Sequence, residues 1–340
     1  MERLEGAARF AATLHEDLQE TRPPVAIGLT KAGITRSAKA IRIAHGGDEQ
    51  LFHAEVACFA DLDPLQKGVH MSRFEELLNE AVDEVVLGEA LQIEALAEHI
   101  ALRVVERQKA VRSEVTIRAS YPVQRRTPVT DQATQEMYGL IGIAAANGAT
   151  SRRIVGVTAQ GMNACPCAQG LVRDAAVGAL RDDGFSEDEI DRIVELVPIA
   201  THNQRAKGTL YVGAGAEAHV RAEDLIAIVE EGMSSEIYEL LKRPDERFIV
   251  EKAHRRPRFV EDSVREMVRG VVERYPGLPD DAFVWAHQAN FETIHTHDVE
   301  AERSGTLGEI RGELAGRAPA RHTSMRVWLD GVEPAGGESA

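Results

Sequence analysis

The chain has 340 residues, 44% hydrophobic, 5% aromatic and 28% charged, the profile of a soluble globular protein long enough for one large or two modest cores. Its 55 acidic against 39 basic residues give a formal charge of -16, a field that repels polyanions and argues against nucleic acid or an anionic membrane as a partner; a phosphorylated substrate would need a local basic pocket. No signal-peptide pattern and no run of about 18 apolar residues occurs, and three cysteines cannot build a disulfide framework, so the reading is cytoplasmic with free or metal-bound thiols.

After a polar leader ending in "TRPP", "RSAKAIRIAHGG" and "LFHAEVACFADL" predict two strands of a hairpin around Gly46 and Gly47, the second alternating with period two. Cys58, on that alternating strand, is expected to be a small buried thiol. "SRFEELLNEAVDEVV", with Ser72 as N-cap and Glu75 three residues on, and "EALQIEALAEHIALRVVERQKA" predict two helices. "SEVTIRASYPV" returns to strand, "TPVT" marks a linker, and "RRIVGVTAQGM" is a strand running into "GMNACPCAQ". The order is strand, strand, helix, helix, strand, strand.

The second half loosely repeats it. "GLVRDAAVGALRDD" and "SEDEIDRIVEL", the latter opened by a Ser186/Glu189 capping box, predict two helices inserted before "THNQR". "GTLYVGAG" reads as a strand, "AEDLIAIVEEG" and "VEDSVREMVRGVVERY" as amphipathic helices, and "DAFVWAHQANFE" as a strand entering "TIHTHDVEAE". "SRR", "QRR" and "HRRPR" read as solvated basic stretches, and "EPAGGESA" as a disordered tail.

Chemistry-bearing residues gather at element ends. Cys165 and Cys167 follow a strand, His202 sits in "THNQR", and Glu292, His295 and His297 sit in "FETIHTHD". Thiolate, imidazole and carboxylate are ligands for zinc or ferrous iron. On a helix Glu292 and His295 would share a face, and in an extended segment His295 and His297 would. A C-x-C pair is shorter than the C-x-x-C zinc spacing, so spacing alone does not choose between a metal ligand, a redox dithiol and a packing thiol.

"GMNACPCAQ", "IATHNQR", "SSEIYELLKRPDE", "RFVEDSVREM" and "NFETIHTHDVEAER", in this order and with the earlier "GLTKAGITRSAKAI" and "KGVHMSR", resemble the metal-dependent GTP cyclohydrolases of the type IB and archaeal type IV group, across roughly residues 25–313. The helical insert between the cysteines and "THNQR" is closer to the archaeal form. The resemblance implies an α+β tunnelling fold of tandem ββααββ-like units whose antiparallel sheets join between subunits into a barrel, with active sites at the interfaces of a homo-oligomer, dimer or tetramer. It divides the chain into a leader (1–24), a first unit (25–150), a second unit (151–313) carrying the insert (168–197), and a tail (314–340).

Carried over residue by residue, the resemblance implies one divalent metal per subunit, Fe(II) favoured with Zn(II) or Mn(II) as alternatives, on Cys165, His202 and Glu246. Glu292, His295 and His297 would move protons, Glu261 would anchor the purine, and Arg73 and Arg205, with Lys207, would meet the triphosphate. Guanine offers N1–H and the 2-amino group as adjacent donors that one carboxylate accepts, which adenine cannot match. A divalent metal lowers the pKa of water from 15.7 toward about 7, as attack on guanine C8 with loss of formate requires. The archaeal form implies a dihydroneopterin 2′,3′-cyclic phosphate as product, the type IB form the triphosphate. Another purine or pterin enzyme of the same fold, such as a 6-pyruvoyltetrahydropterin synthase or nitrile reductase relative, and a non-catalytic assembly protein with a closed four-ligand metal site, are the competing readings.

Overall fold

The structure, a computed structural model, describes residues 18–45, 48–84, 86–87, 92–147, 150–215, 217–318 and 322–331. The turn expected at Gly46 and Gly47, most of the leader and the tail end "EPAGGESA" lie outside them. Two compact units emerge, Met1–Arg118 with Gly142–Arg153, and Ala119–Ile141 with Ile154–Ala340.

In the first unit β1 (Leu29–His45) and β2 (Asp48–Leu62) pair antiparallel from Leu29↔Leu62 to His45↔Asp48, with two register shifts. The short β3 (Val86–Leu87) adds a two-residue parallel edge to β1, and β4 (Ser113–Arg126) begins beside β2. β2 alternates as its sequence predicts, burying Ala54, Val56, Cys58 and Ala60. Burial pushes the Cys58 thiol from 9.0 up to about 12, the mark of a packing cysteine. Against that face lie α1 (Met71–Glu84) and α2 (Ile93–Gln108). α2 buries Ile93, Leu96, Ala97, Ile100 and Val104 at helical spacing, and each large side chain contributes about 1.5–3 kcal/mol relative to exposure. Ser72 is not the N-cap of α1, because the helix already begins at Met71.

The second unit is built on one antiparallel sheet in the order β10-β9-β7-β6-β5-β4. Its strands are the end of β4, β5 (Ala133–Ala146), β6 (Ser151–Ala164), β7 (Asn203–Ala214), β9 (Phe283–Asn290) and β10 (Val299–Thr306), with β8 (Ser235–Glu236) pairing to β6. β8 approaches so closely that a Cβ on Gly161 would lie 2.5 Å from Met233 and 2.9 Å from the Ser235 carbonyl oxygen, so only glycine fits.

Two helices follow β6: α3 (Pro166–Asp182) and α4 (Glu187–Leu196). The turn between them passes through Gly184 at φ +91°, and the Ser186/Glu189 capping box opens α4 as expected. α3 starts at Pro166, four residues before the helical pattern suggests, with proline at the first helical position and Cys165 as N-cap.

Next come α5 (Ala222–Gly232), α6 (Arg243–Arg255) and α7 (Val260–Arg274). α5 and α7 pack on one another and α7 on β9, joining Leu225, Val229, Val264, Met267 and Val271 to Leu210 and Ala286 in the core. α8 (Leu307–Leu314) and α9 (Met325–Asp330) close the chain. With β3 set aside in the first pass, and α3, α4, β8 and α6 set aside in the second, the strand–strand–helix–helix–strand–strand order occurs twice. β5, β10 and α6 had no predicted counterpart, and the "TPVT" linker is the connection between β4 and β5. The basic stretches are not simply solvated: Arg153 is buried against Glu98 at 3.1 Å, and Arg125 pairs with buried Glu230. No helix among the described residues is long and apolar enough to cross a membrane.

Candidate active site

On β7, Gln204, Ala206 and Gly208 point to the helix-covered face of the sheet: a Cβ on Gly208 would meet Val229 of α5 and Met267 of α7. At the end of that face a cleft of about 460 Å³ opens, lined among others by Cys165, His202, Gln204, Arg258, Glu261, Glu292, His295 and His297. Six of the residues singled out from sequence, Cys165, His202, Glu261, Glu292, His295 and His297, therefore meet in one place, brought from the ends of β6, β7 and β9 and the first turn of α7.

Each is positioned by local chemistry. Cys165 is tied to His202 through its backbone N–H, which donates to the His202 carbonyl at 3.1 Å, and the Thr201 hydroxyl donates to the Cys165 carbonyl at 2.8 Å. The Cys165 sulfur caps α3 by accepting from the Ala168 N–H at 3.5 Å. His202 Nδ1 lies 3.9 Å from Glu292 Oε2, with the two side chains 13% and 7% exposed. Neither atom has a hydrogen-bond partner. The other Glu292 oxygen accepts from Gln204 Nε2 at 3.1 Å, and the Glu292 N–H donates to Asp298 at 3.1 Å. His295 and His297 are exposed, lie in a run of bends over 293–297 and not in an extended segment, and their rings stack, centroids 5.2 Å apart. Glu261 stands exposed at the start of α7, beside the exposed ring of Phe259.

Beneath the cleft runs a fully buried polar network. Asn163 Nδ2 donates to Ser263 Oγ at 3.0 Å and to Asn290 Oδ1 at 3.1 Å, while its Oδ1 accepts from the Ser234 N–H at 2.9 Å. Ser234 Oγ in turn accepts from the Ala164 N–H at 3.1 Å. Asn163, Asn290 and Gln204 each stand two residues from Cys165, Glu292 and His202, so strand periodicity put them within reach of sequence reasoning, which passed over them. Arg258, in the stretch read as solvated, is half-buried and donates to the Glu231 and Gly232 carbonyls at 3.0 and 2.7 Å; burial and the neighbouring Arg256 hold its pKa below the usual range.

Arg205, Lys207, Glu246 and Arg73 are not brought to this cleft within the chain. Arg205 and Lys207 alternate with Gln204 and Ala206, so they project from the opposite, open face of the sheet, where they line a separate cleft with Thr158, Gln160 and Phe291. Glu246 is exposed on α6 and does not line the cleft. Its neighbour Asp245 takes the inward position, and consecutive helical residues point about 100° apart. The buried Asp245 carboxylate accepts from the Val129 and Thr130 N–H groups at 2.9 Å, the Thr130 hydroxyl at 2.6 Å and the Lys242 N–H at 3.0 Å. Burial acts to raise its pKa, but these donors outweigh it and hold the group far below the ordinary carboxylate range. Arg73 lies half-buried in the first turn of α1 in the first unit. Cys167 is exposed and does not line the cleft.

Thiol and imidazole with a carboxylate beside them in one cleft are a donor set for a divalent metal, and the unpartnered His202 Nδ1 is an atom such an ion would satisfy. The fit is one of donor type and an unpaired atom: among the described residues no group of three or more His, Cys, Asp or Glu closes into a ligand shell.

Known proteins are similar to this chain over most of its length. GTP cyclohydrolase MptA of Methanococcus aeolicus is 40% identical over 305 residues, covering 88% of this chain and 99% of that protein. The MptA proteins of Methanothermobacter thermautotrophicus and Methanocaldococcus jannaschii are 38% and 36% identical over 88% of this chain, covering 95% and 97% of theirs. In fold the chain is similar to the crystal structure of uricase from Arthrobacter globiformis, with a TM-score of 0.51 and 8% identity over 90% of this chain and 99% of that one. That likeness shows the fold alone, an α+β antiparallel arrangement of the tunnelling type. The family described as type I GTP cyclohydrolase folE2 matches residues 15–301, and the chain belongs to it.

Proposed function

We propose that this chain opens the imidazole ring of GTP at guanine C8, releases formate and rebuilds the base as a 7,8-dihydropterin, using the cleft between β6, β7, β9 and α7. The observation that carries this reading is the meeting of Glu261 with Cys165, His202, Glu292 and His295 in one cleft of about 460 Å³, within the usual size of a small-molecule site. Glu261 accepts from N1–H and the 2-amino group of guanine while Phe259 offers a ring beside the base. Cys165 and His202 would hold one divalent metal, Fe(II) favoured over Zn(II) or Mn(II), which would supply Lewis-acid activation of water. Glu292 accepts a proton on its unpartnered oxygen, and the exposed His295 and His297 stand at the cleft as proton donors and acceptors.

Glu246, on an exposed helix, reaches such a metal only from a second copy of the chain, in keeping with a homo-oligomer whose sheets join into a barrel. The family resemblance alone supports Arg73 as a phosphate contact. The insert α3–α4 supports the archaeal reaction: loss of pyrophosphate and a 2′,3′-cyclic phosphate.

Anaerobic incubation with GTP and each metal, followed by formate measurement and mass analysis of the pterin, tests the reaction, the metal and the product. Formate together with a cyclic phosphate and pyrophosphate is expected. A dihydroneopterin triphosphate without pyrophosphate overturns the product assignment, and no formate with any metal overturns the reaction. Glu261→Gln should abolish most GTP turnover with metal content unchanged, since an amide meets one of guanine's donors with a donor.

A further inference from the structure

One buried side chain of the cleft has no task in the reading above. Gln204 is 5% exposed and sits on the same strand face as His202, two residues away. Its Nε2 donates to Glu292 Oε1 at 3.1 Å. That commits one carboxylate oxygen. The other is left buried, unpartnered and 3.9 Å from His202 Nδ1, itself unpartnered. Gln204 Oε1 has no partner either, so the amide donates to Glu292 at one end and presents a free acceptor at the other.

The terminal torsion of a glutamate is broad and roughly two-fold, so nothing in Glu292 itself chooses which oxygen faces His202. A donor on one oxygen makes that choice. The donor type matters too: an Arg or Lys here would bring a positive charge to the carboxylate, whereas an amide holds one oxygen without adding a charge. We propose that Gln204 is the positioning residue of this cleft: its amide clamps one oxygen of Glu292 so that the other stands unpartnered beside His202. This rests on the functional reading above in giving Glu292 a proton to accept.

The test is a double-mutant cycle of Gln204→Met and Glu292→Gln, read in two independent ways. Methionine nearly preserves the volume of glutamine and removes the donor. For formate release, Gln204→Met should lower kcat by roughly 10- to 100-fold, the worth of a hydrogen bond to a charged group, with KM for GTP held within about twofold. The double variant should be no slower than Glu292→Gln alone, because Gln204 acts only through Glu292. Wild-type kcat in Gln204→Met, or losses that multiply in the double variant, would overturn the proposal. The second reading is the Zn(II) dissociation constant of the four proteins by chelator competition, where removal of an orienting partner typically costs about 10- to 100-fold. Should the wild type release no formate, the functional reading fails while this metal cycle still decides the role of Gln204: a coupled loosening upholds it, and additive or absent effects overturn it. Gln204→Glu keeps the length and polarity of the side chain but replaces the donor by an acceptor, and it serves in the same cycle if methionine does not fold.

Discussion

Replacing Asn163 by alanine should damage both the stability of the second unit and the cleft above it. Asn163 is fully buried, and its three hydrogen bonds run to Ser263, Asn290 and the Ser234 N–H. The partners are not equally harmed by its loss. Asn290 Oδ1 still accepts from Gln288 Nε2 at 3.2 Å, and Ser263 Oγ still donates to the Phe259 carbonyl at 3.4 Å. The Ser234 N–H is left buried with no acceptor. One orphaned donor costs about 1–3 kcal/mol and each of the other lost bonds about 0.5–1.5, so Asn163→Ala should destabilise by roughly 2–6 kcal/mol before any cavity is counted. Urea unfolding followed by circular dichroism measures it, with the wild-type slope as the check that the transition is comparable. Because Ser234 Oγ accepts from the Ala164 N–H, one residue before Cys165, metal content should fall alongside. A loss under about 1 kcal/mol would refute the argument, since it would mean that a water or a backbone shift satisfies the Ser234 donor.

Cys165→Ala should lose the bound divalent metal while Cys167→Ala retains it, because only Cys165 lines the cleft; elemental analysis of the two proteins decides, and the reverse result assigns the ligand to Cys167. Brief alkylation with iodoacetamide near neutral pH should modify exposed Cys167 and spare Cys58, whose thiol burial has raised to about 12; mass spectrometry locates the label. Asp245 has a folded-state pKa held below its ordinary 3.8, so its contribution to stability is fully present above that value and fades as pH falls below it toward the folded-state value. Urea midpoints taken from about pH 5 to about pH 2.5 should therefore fall less steeply in Asp245→Asn than in the wild type. Equal slopes would remove Asp245 from the acid response.

The amino-acid sequence by itself determined six of the residues that line the cleft and much of the local structure beneath them. Period-two burial made β2 and its thiol legible, Ser186 with Glu189 marked the start of α4, and Cys165, His202, Glu261 and Glu292 were recognisable from short motifs at element ends. These signals are local: a cap, a strand face or a motif needs only neighbours along the chain. Where a segment's state depends on distant partners, local signals ran out. β5 alternates over its first half and is then buried almost continuously, so its sequence does not separate a strand from a buried helix. β10, "VEAERSGT", is a charged edge strand held in the sheet by pairing with β9 from Val299↔Asn290 to Thr306↔Phe283. Side-chain direction was decided in the same way. Gln204 and Arg205 are adjacent in "HNQR", yet the pleat of β7 sends one into the cleft and the other to the far face of the sheet. Asp245 and Glu246 are adjacent in "RPDE", yet four donors from two segments claim the first and leave the second in solvent. Composition names the donors and acceptors available; only tertiary packing decides which face of a strand or helix is covered, and therefore which of two neighbouring side chains enters the site.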